Sequence, residues 1–364
     1  MNVRTVAIVG AGLAGARTAE TLRAEGFDGD VVLVGEEPIA PYERPALSKE
    51  YLAGTRDEQS LLLRPPSFWD ERGIELLLGE RVLRIDAPAG VLQTERGLER
   101  PFDAVVVATG ARPRRLPQRL PRGVHELRTL ADARALRAEL APGIRLVVVG
   151  GGLIGAEVAS TASGLGARVM LIEAASAPLV RALGRDAGLL LAERWRSHGI
   201  DVRLGAPLDS LREGEEGRID AVVLADGSVV PADVVLIGIG VEPARELLDD
   251  RAGTNLFTAG DVTGAGHWTA AALDGAAAAR RILRLPVPAA QPAYVWSDQF
   301  GLRLQVVGRP ADGAAAEVEG SDDSFAVRYR GRDGVVHAAV FANRPADAAE
   351  LRRSLLDDRL ALAA

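Results

Sequence analysis

The 364-residue sequence contains no cysteine, a single lysine and only 4% aromatic residues. Without cysteine the chain cannot form a disulfide, a thiolate metal site or an iron–sulfur cluster of its own, and it cannot run a dithiol relay. We therefore expect no bound metal. No apolar run is long enough to span a bilayer, and no cationic segment precedes an apolar one at the N-terminus, so we expect a cytoplasmic protein. The net charge of −7 argues against general nucleic-acid binding.

What the sequence does contain is a strand–turn–helix–strand pattern at its beginning. Residues 3–9 are an apolar, β-branched run typical of a buried parallel strand. Residues 16–25 suit a helix, and a second strand over residues 31–34 leads to Glu36. The turn between the first strand and the helix is rich in glycine and comprises Gly10, Ala11, Gly12, Leu13, Ala14 and Gly15.

The same pattern is repeated near the middle of the chain. A strand over residues 146–149 precedes a helix over 156–165, and a strand over 169–172 leads to Glu173. The turn again contains three glycines and comprises Gly150, Gly151, Gly152, Leu153, Ile154 and Gly155. Two such units predict two bound dinucleotides.

Three glycines between a strand and a helix suit a pyrophosphate, because they allow a tight turn, a close approach of backbone to phosphate, and close packing of the helix on the strand. The N-terminus of the helix adds unpaired N–H groups and partial positive charge. Glu36 and Glu173 are candidates to accept hydrogen bonds from an adenosine ribose. Glu173 also favours NADH over NADPH, since a carboxylate repels a 2′-phosphate; alternatively, Arg168 or Arg181 folds back to bind that phosphate.

The rest of the chain continues in an α/β pattern and then changes. Strands over 104–107 and 234–237 lead to further glycine turns, and a helix is expected over 270–283. After a proline-containing linker, strands over 302–307, 325–329 and 335–341 and a helix over 346–356 predict a smaller antiparallel domain. We therefore expect an α/β fold with two Rossmann-like dinucleotide-binding domains and a small C-terminal α+β domain.

The stretch Pro41–Lys49 reads PYERPALSK. It resembles the PYxRPPLSK segment of the FAD-dependent ferredoxin reductases of bacterial oxygenase systems, which include putidaredoxin reductase, rubredoxin reductase and the reductases of aromatic-ring dioxygenases. Ala46 stands where a second proline is usual. The resemblance covers nearly the whole chain and implies the pyridine nucleotide-disulfide oxidoreductase fold without its redox disulfide.

The resemblance also assigns site residues. Lys49 is implied to lie near the isoalloxazine, where a cation stabilises the reduced anionic flavin, and Glu157 is implied to pair with it, so these two are the candidate catalytic residues. From the residues alone, a helix-dipole partner is the less favoured alternative for Glu157, whereas Trp296 is equally a core residue. Gly240 and Arg181 are expected on the NAD side. The implied FAD contacts are Arg44, Lys49, Val82, Ala108, Thr109, Gly110, Arg128, Gly260, Asp261, His267, Trp268, Thr269 and Trp296.

The implied activity is that of an NADH:ferredoxin oxidoreductase, in which a hydride passes from NADH to N5 of FAD and single electrons then pass to a ferredoxin or rubredoxin that serves an oxygenase. Because cysteine is absent, the thiol-dependent enzymes with the same plan are excluded. Two alternatives stay open. One is direct reduction of oxygen, a quinone or a small molecule; the other is a degenerate flavoprotein that responds to NADH without useful turnover.

One region departs from the family pattern. The family has a longer segment, with strands of its own, where only residues 244–254 join Pro243 to Asn255. Eleven extended residues reach about 35–40 Å, so the chain can still return to the FAD domain, but the completeness of the FAD sheet is in question. The expected domains are an FAD-binding domain over 1–111 and 244–287, an NAD(H)-binding domain over 112–243, and a C-terminal domain over 288–364.

Overall fold

The structure is a computed structural model that describes residues 3–248, 253–264, 266–310, 314–321 and 323–363. The helices of this part are α1 (Leu13–Ala24), α2 (Ser67–Glu71), α3 (Leu130–Glu139), α4 (Leu153–Gly164), α5 (Val180–Leu183), α6 (Arg185–Ser197), α7 (Trp268–Ile282) and α8 (Pro345–Ala363). The strands are β1 (Thr5–Val9), β2 (Asp30–Gly35), β3 (Ile74–Leu78), β4 (Val82–Asp86), β5 (Val91–Thr94), β6 (Glu99–Pro101), β7 (Ala104–Val107), β8 (Ala111–Pro113), β9 (Val124–His125), β10 (Arg145–Val149), β11 (Arg168–Glu173), β12 (Asp201–Leu204), β13 (Leu208–Glu213), β14 (Ile219–Leu224), β15 (Val229–Pro231), β16 (Val234–Ile237), β17 (Val241–Pro243), β18 (Leu256–Thr258), β19 (Tyr294–Gln299), β20 (Leu302–Gly308), β21 (Ala315–Ser321), β22 (Ser324–Arg330) and β23 (Val336–Ala342).

The chain divides into two compact units, each with a parallel five-stranded sheet. The sheet of unit 1 has the order β18-β7-β1-β2-β3, and that of unit 2 has the order β12-β11-β10-β16-β9. In each sheet the first strand of the βαβ pattern is central, because β1 pairs with β2 and β7, and β10 pairs with β11 and β16. Unit 1 comprises Met1–Glu43, Glu58–Arg112 and Val241–Ala290, and unit 2 comprises Arg44–Asp57, Pro113–Gly240 and Gln291–Ala364.

The central strand of unit 1 is buried on both faces. Val6 and Ile8 belong to one apolar cluster with Trp69 and residues of α1 and α7. Ala7 and Val9, which alternate with them along β1, belong to a second cluster that includes Phe102. A strand covered on both sides has no polar face, so this packing explains the continuous apolar run that predicted it.

Helices α1 and α7 pack at very short range. A Cβ added to Gly275 would lie 2.3 Å from the backbone oxygen of Ala14, so only glycine allows this approach. The hydroxyl of Thr18 donates to the carbonyl oxygen of Gly275 at 3.1 Å across the same contact. The close contact accounts for the alanine- and glycine-rich sequence of α7.

The outer strand β18 follows the short segment that joins Pro243 to Asn255. It pairs in parallel with β7, with Leu256 opposite Val105 and Thr258 opposite Val107. The parallel sheet of unit 1 therefore has its fifth strand on the side of β7.

Smaller antiparallel sheets accompany both parallel ones: β4-β5-β6 in unit 1, and β13-β14-β15 and β19-β20-β23-β22-β21 in unit 2. The last of these carries α8, whose Ala348 packs on Val307 and Phe341. The expected fold class, two Rossmann-like regions followed by a C-terminal α+β region, is confirmed. Within the described residues, no helix is both long and apolar enough to cross a bilayer.

Candidate functional site: two glycine turns and a buried carboxylate–lysine pair

The glycine turn of unit 1 leaves an open space beside its backbone. Gly10 has a φ of 116°, and a Cβ there would lie 2.1 Å from the carbonyl oxygen of Ala108. A Cβ at Gly15 would lie 2.0 Å from the carbonyl oxygen of Gly10. By contrast, a Cβ at Gly12 would have no neighbour within 4 Å. The first and third glycines therefore serve the fold, while the second leaves room for a ligand.

The N-terminus of α1 completes this site. Gly12 is its N-cap and supplies no side-chain acceptor, and its first turn, which begins with Leu13 and Ala14, contains no acid. The first N–H groups of a helix lack partners within the helix and favour an anion. The turn therefore fits the pyrophosphate of a dinucleotide, with room at Gly12 and donors at the start of the helix.

The turn over residues 108–110 adjoins the first glycine turn. Ala108 donates from its N–H to the carbonyl oxygen of Val9 at 2.7 Å. The Thr109 hydroxyl donates to the carbonyl oxygen of Ala244 at 2.7 Å, and the Ala244 N–H donates to the carbonyl oxygen of Gly110 at 3.0 Å. The backbone of Ala244 thus fixes this turn from both sides.

Asp261 lies on a short 3-10 turn over Gly260–Thr263 that packs on α1. Gly260 has a φ of 79°, and a Cβ there would lie 2.7 Å from that of Ala14. From the shortened segment, Arg245 donates to the carbonyl oxygens of Val262 at 3.0 Å and Thr263 at 3.4 Å. The short link therefore braces the turn that carries the aspartate.

The other predicted FAD contacts of unit 1 lie at the beginning of α7, directly after β2 and at the beginning of β4. His267 caps α7 by accepting a hydrogen bond from the N–H of Ala270 at 3.1 Å, and Trp268 and Thr269 begin that helix. Glu36 follows β2 and is exposed, with its carboxylate 3.8 Å from Arg81. Val82 begins β4 and is buried.

The glycine turn of unit 2 has the same geometry. Gly150 has a φ of 107°, and a Cβ there would lie 2.4 Å from the carbonyl oxygen of Gly238. A Cβ at Gly155 would lie 2.2 Å from the carbonyl oxygen of Gly150, whereas a Cβ at Gly152 would meet nothing closer than 3.8 Å. Gly152 caps α4, whose first residues are Leu153 and Ile154, without a side-chain acceptor. This second turn therefore also fits a dinucleotide.

Glu173 at the end of β11 is tied to this second turn. One of its oxygens accepts from the N–H of Gly151 at 2.7 Å, and the other accepts from the N–H of Ala175 at 2.8 Å. Arg168 and Arg181 are both exposed, on β11 and α5, and within the described residues neither forms a hydrogen bond or ion pair with Glu173. Gly240 has a φ of 103° at the end of the loop that follows β16.

The segment Arg44–Asp57 is part of unit 2, and it is held against α4. The hydroxyl of Thr161 donates to the carbonyl oxygen of Ser48 at 2.8 Å. Arg44 donates from Nη1 to the carbonyl oxygen of Arg128 at 2.6 Å, so two of the predicted FAD contacts meet. Lys49 and Glu157 are brought together as well.

The carboxylate of Glu157 is the centre of a buried polar cluster. Its Oε2 lies 3.1 Å from Nζ of Lys49 and accepts from the hydroxyl of Ser48 at 2.5 Å. Its Oε1 accepts from the hydroxyl of Ser297 at 2.7 Å. Glu157 is only 5% exposed, and Lys49 is the one lysine of the chain. A buried carboxylate needs such donors and a counter-charge, so the pairing implied by the resemblance is also the one that the burial of Glu157 requires.

Comparison with known proteins decides the family. Residues 4–274 match the pyridine nucleotide-disulphide oxidoreductase family, and residues 294–364 match the reductase C-terminal family. The chain belongs to the pyridine nucleotide-disulphide oxidoreductases. The expected membership is therefore confirmed, although the chain lacks the cysteines that the family name refers to.

Individual members of this family match over nearly their whole length. The chain is 38% identical to the ferredoxin–NAD(+) reductase component of the biphenyl dioxygenase system of Paraburkholderia xenovorans (strain LB400), covering 94% of this chain and 90% of that protein. It is also 38% identical to the ferredoxin–NAD(+) reductase component of the p-cumate 2,3-dioxygenase system of Pseudomonas putida, covering 97% and 93%. The crystal structure of the covalent putidaredoxin reductase–putidaredoxin complex matches with a TM-score of 0.90 and 31% identity, covering 97% of this chain and 93% of that one.

The structure also brings to this site residues that are not among the predicted site residues. Ser48, Ser297, Gln299 and Trp195 all join the cluster around Glu157 or extend it. Trp296, the residue that was singled out in the same strand, is half-buried and stacks on Tyr294 at 6.3 Å between ring centroids. The alternation of side chains along β19 is the sequence signal that could have found Ser297 and Gln299. Successive side chains of a strand point to opposite faces, so residues 297 and 299 share the face opposite to that of Trp296.

Proposed function

We propose that this protein is an FAD-dependent NADH:ferredoxin oxidoreductase that passes electrons from NADH to an iron–sulfur carrier. The observation that carries the proposal is the duplicated glycine turn, each copy open at its second glycine, in a chain related over nearly its whole length to ferredoxin–NAD(+) reductases. When bound, FAD supplies the conversion between the two-electron chemistry of NADH and the one-electron chemistry of the carrier. The residues of the chain bind and orient the two nucleotides, and they supply a positive charge for the reduced flavin ring.

Unit 1 contains the residues proposed to hold the pyrophosphate and sugar parts of FAD. The space at Gly12 and the first N–H groups of α1 suit the pyrophosphate. Glu36, exposed at the end of β2, suits the adenosine ribose. Asp261, on the turn braced by Arg245, is assigned the ribityl chain.

Unit 2 contains the residues proposed to bind NADH. Gly152 and the N-terminus of α4 suit its pyrophosphate. The Glu173 carboxylate is held in place by Gly151 and Ala175, and it disfavours the 2′-phosphate of NADPH. This arrangement supports NADH as the donor, with Arg181 and Gly240 as further contacts.

Lys49 and Glu157 are proposed to serve the flavin ring. The ammonium of Lys49 offsets negative charge on the reduced ring, and Glu157 holds that ammonium in one position. Neither side chain forms or breaks a covalent bond in this proposal. Their role is electrostatic.

The electron acceptor is proposed to be a ferredoxin or rubredoxin, which brings the iron that this chain cannot bind through cysteine. The relatives named above are components of dioxygenase systems, and one matching structure is a complex with putidaredoxin. An oxygenase is therefore the proposed end of the electron path. The FAD-binding domain over 1–111 and 244–287, the NAD(H)-binding domain over 112–243, the C-terminal domain over 288–364 and the cytoplasmic location stay proposals.

A coupled assay tests this function. The FAD-loaded protein is mixed with NADH and cytochrome c, with and without an added oxygenase-type ferredoxin, while oxygen consumption is followed. The proposal predicts rapid cytochrome c reduction only with the ferredoxin, and slow oxygen consumption without it. Rapid oxygen or quinone reduction that ignores the ferredoxin would favour the oxidase alternative, and a flavin that NADH does not reduce would favour the degenerate flavoprotein.

A further inference from the structure

A chain of hydrogen bonds runs through buried side chains to the carboxylate of Glu157. The indole N–H of Trp195 donates to Oε1 of Gln299 at 2.8 Å, and Nε2 of Gln299 donates to Oγ of Ser297 at 3.1 Å. Ser297 donates in turn to Oε1 of Glu157 at 2.7 Å. The four residues are between 0% and 5% exposed.

The direction of this chain is set by Trp195. An indole N–H can only donate, so Gln299 must present its carbonyl oxygen to Trp195 and its amide NH₂ to Ser297. The Ser297 oxygen then accepts from Gln299, and its single hydrogen is left for Glu157. Every donor in the chain therefore points toward the carboxylate.

The other oxygen of the carboxylate also meets only donors. Ser48 and Lys49 both approach Oε2 of Glu157, at 2.5 Å and 3.1 Å. A carboxylate is an acceptor-only group, so the three partners match it without competition. With Ser297 on one oxygen and Ser48 and Lys49 on the other, the Glu157 side chain has one satisfied orientation.

The hairpin that carries Ser297 is fixed to the helix that carries Glu157. The turn residue Phe300 has a φ of 48°, which is unfavourable for a bulky side chain, and Gly301 follows with 74°. The N–H of Phe300 donates to Oγ of Ser160 on α4 at 2.8 Å, and its ring lies 6.2 Å from that of Trp195. These contacts stabilise the strained turn and fix the position of β19 along α4.

We propose that Ser297 is a positioning residue, oriented by Gln299 and Trp195, that holds Glu157 so that the ammonium of Lys49 stays in one place. The proposal rests on the proposed function, because it assigns the consequence of that placement to electron transfer from NADH. In this view the C-terminal sheet contacts Glu157, and through it influences Lys49, by way of the Ser297 hydroxyl.

The test compares three side chains of similar size at residue 297 in the full, FAD-loaded protein. Ser297→Ala removes the donor, and Ser297→Cys keeps a weak one. We expect the anaerobic rate constant for flavin reduction by NADH to fall about tenfold in Ser297→Ala and less in Ser297→Cys, with the Kd of NADH within about twofold of the wild type. The matched control is Tyr294→Phe, which removes a hydroxyl that accepts from Gln305 in the same sheet without touching Glu157.

A crystal structure of Ser297→Ala gives a readout that does not depend on turnover. We expect the carboxylate of Glu157 to rotate away from residue 297 and the position of Lys49 Nζ to change with it. Unchanged rate constants in both variants, or an unmoved Glu157–Lys49 pair, would show that the network only stabilises the fold. If Ser297→Ala does not fold, Ser297→Cys decides in the same way. A wild-type flavin that NADH does not reduce would instead contradict the proposed function.

Discussion

The carboxylate of Glu173 accepts a hydrogen bond from the backbone N–H of Gly151 at 2.7 Å, so the acid that ends β11 is tied to the glycine turn that ends β10. The strand register brings them together, because Val149 lies opposite Ile172 in the parallel ladder. The same carboxylate accepts from the N–H of Ala175. Its orientation is therefore set before a nucleotide binds.

Replacing Glu173 by arginine is expected to weaken the use of NADH and leave FAD in place. The change removes a charged acceptor near the glycine turn, so the KM for NADH should rise by about tenfold or more, and the preference should move toward NADPH. Steady-state kinetics with both nucleotides check this. Glu193→Arg, at an exposed acid of α6, is the control, and an unchanged KM for NADH in Glu173→Arg would rule out this assignment of the second nucleotide.

Two glycines of the first turn are expected to have different roles: Gly10 is needed for the stability of the fold, and Gly12 leaves room for the flavin. Gly12→Ala adds a methyl group where no atom lies within 4 Å, so the apoprotein should keep its Tm while the flavin content falls. Gly10→Ala places a side chain at a φ of 116° against the carbonyl oxygen of Ala108 and should destabilise the fold by at least about 1–3 kcal/mol. The Tm of the apoprotein and the flavin-to-protein ratio check both. Full flavin retention in Gly12→Ala would mean that the pyrophosphate lies elsewhere.

Asp261→Ala should lower the flavin content without a large loss of stability. Asp261 is only partly buried, and Arg245 holds its turn through the carbonyl oxygens of Val262 and Thr263. Asp261→Asn should lose less flavin, because the amide keeps an acceptor. The absorbance ratio of flavin to protein after gel filtration measures the loss, with the exposed Asp28→Ala as the control. A full flavin content would contradict the ribityl role.

Much of this site was predictable because a strand followed by a glycine turn and a helix is a local pattern. Both turns and both acids are predicted from this pattern, whereas the segment ending at Lys49 is identified only by its resemblance to a known family. The helices, however, begin at Leu13 and Leu153, three residues before the expected starts, because the third glycine of each turn lies inside the helix. Many of the other strands were not predicted; among them, β4, β5, β6 and β21 are short or exposed and have little apolar alternation.

The network around Glu157 could not be predicted for a different reason. Trp195, Ser297 and Gln299 are distant in sequence from Glu157, and a serine or glutamine that becomes buried looks like any other in the sequence. Their association depends on how β19 lies against α4, and therefore on tertiary packing. The partner of Lys49 was anticipated only through resemblance to relatives.

The partly buried carboxyl of Glu126, which lies outside this network, gives a test of pH dependence. Burial raises the pKa of Glu126 above 4.5, with a smaller contribution from Asp132, while Arg115 acts in the opposite direction, and Oε1 of Glu126 is a buried atom without a hydrogen-bond partner. Because folding raises the pKa of this carboxyl, the native state binds more protons than the unfolded state as the pH rises above 4.5. The free energy of unfolding therefore falls as the pH rises through the range in which the native carboxyl loses its proton. Glu126→Gln should therefore raise the Tm at pH 7.

The effect should depend on pH in a defined way. The difference in Tm between Glu126→Gln and the wild type should shrink as the pH falls toward 4.5, because the raised pKa lets the native carboxyl take up its proton earlier than the unfolded one. Thermal unfolding of both apoproteins across that range measures it. A variant that is less stable than the wild type at pH 7 would show that the Glu126 carboxylate is paired in solution.

The most direct test is an anaerobic titration of the FAD-loaded protein. One equivalent of NADH should bleach the flavin fully, and two equivalents of an oxidised one-electron ferredoxin should then restore its colour, because one hydride carries two electrons. A flavin that NADH leaves coloured, or a reduced flavin that the ferredoxin does not reoxidise, would contradict the account.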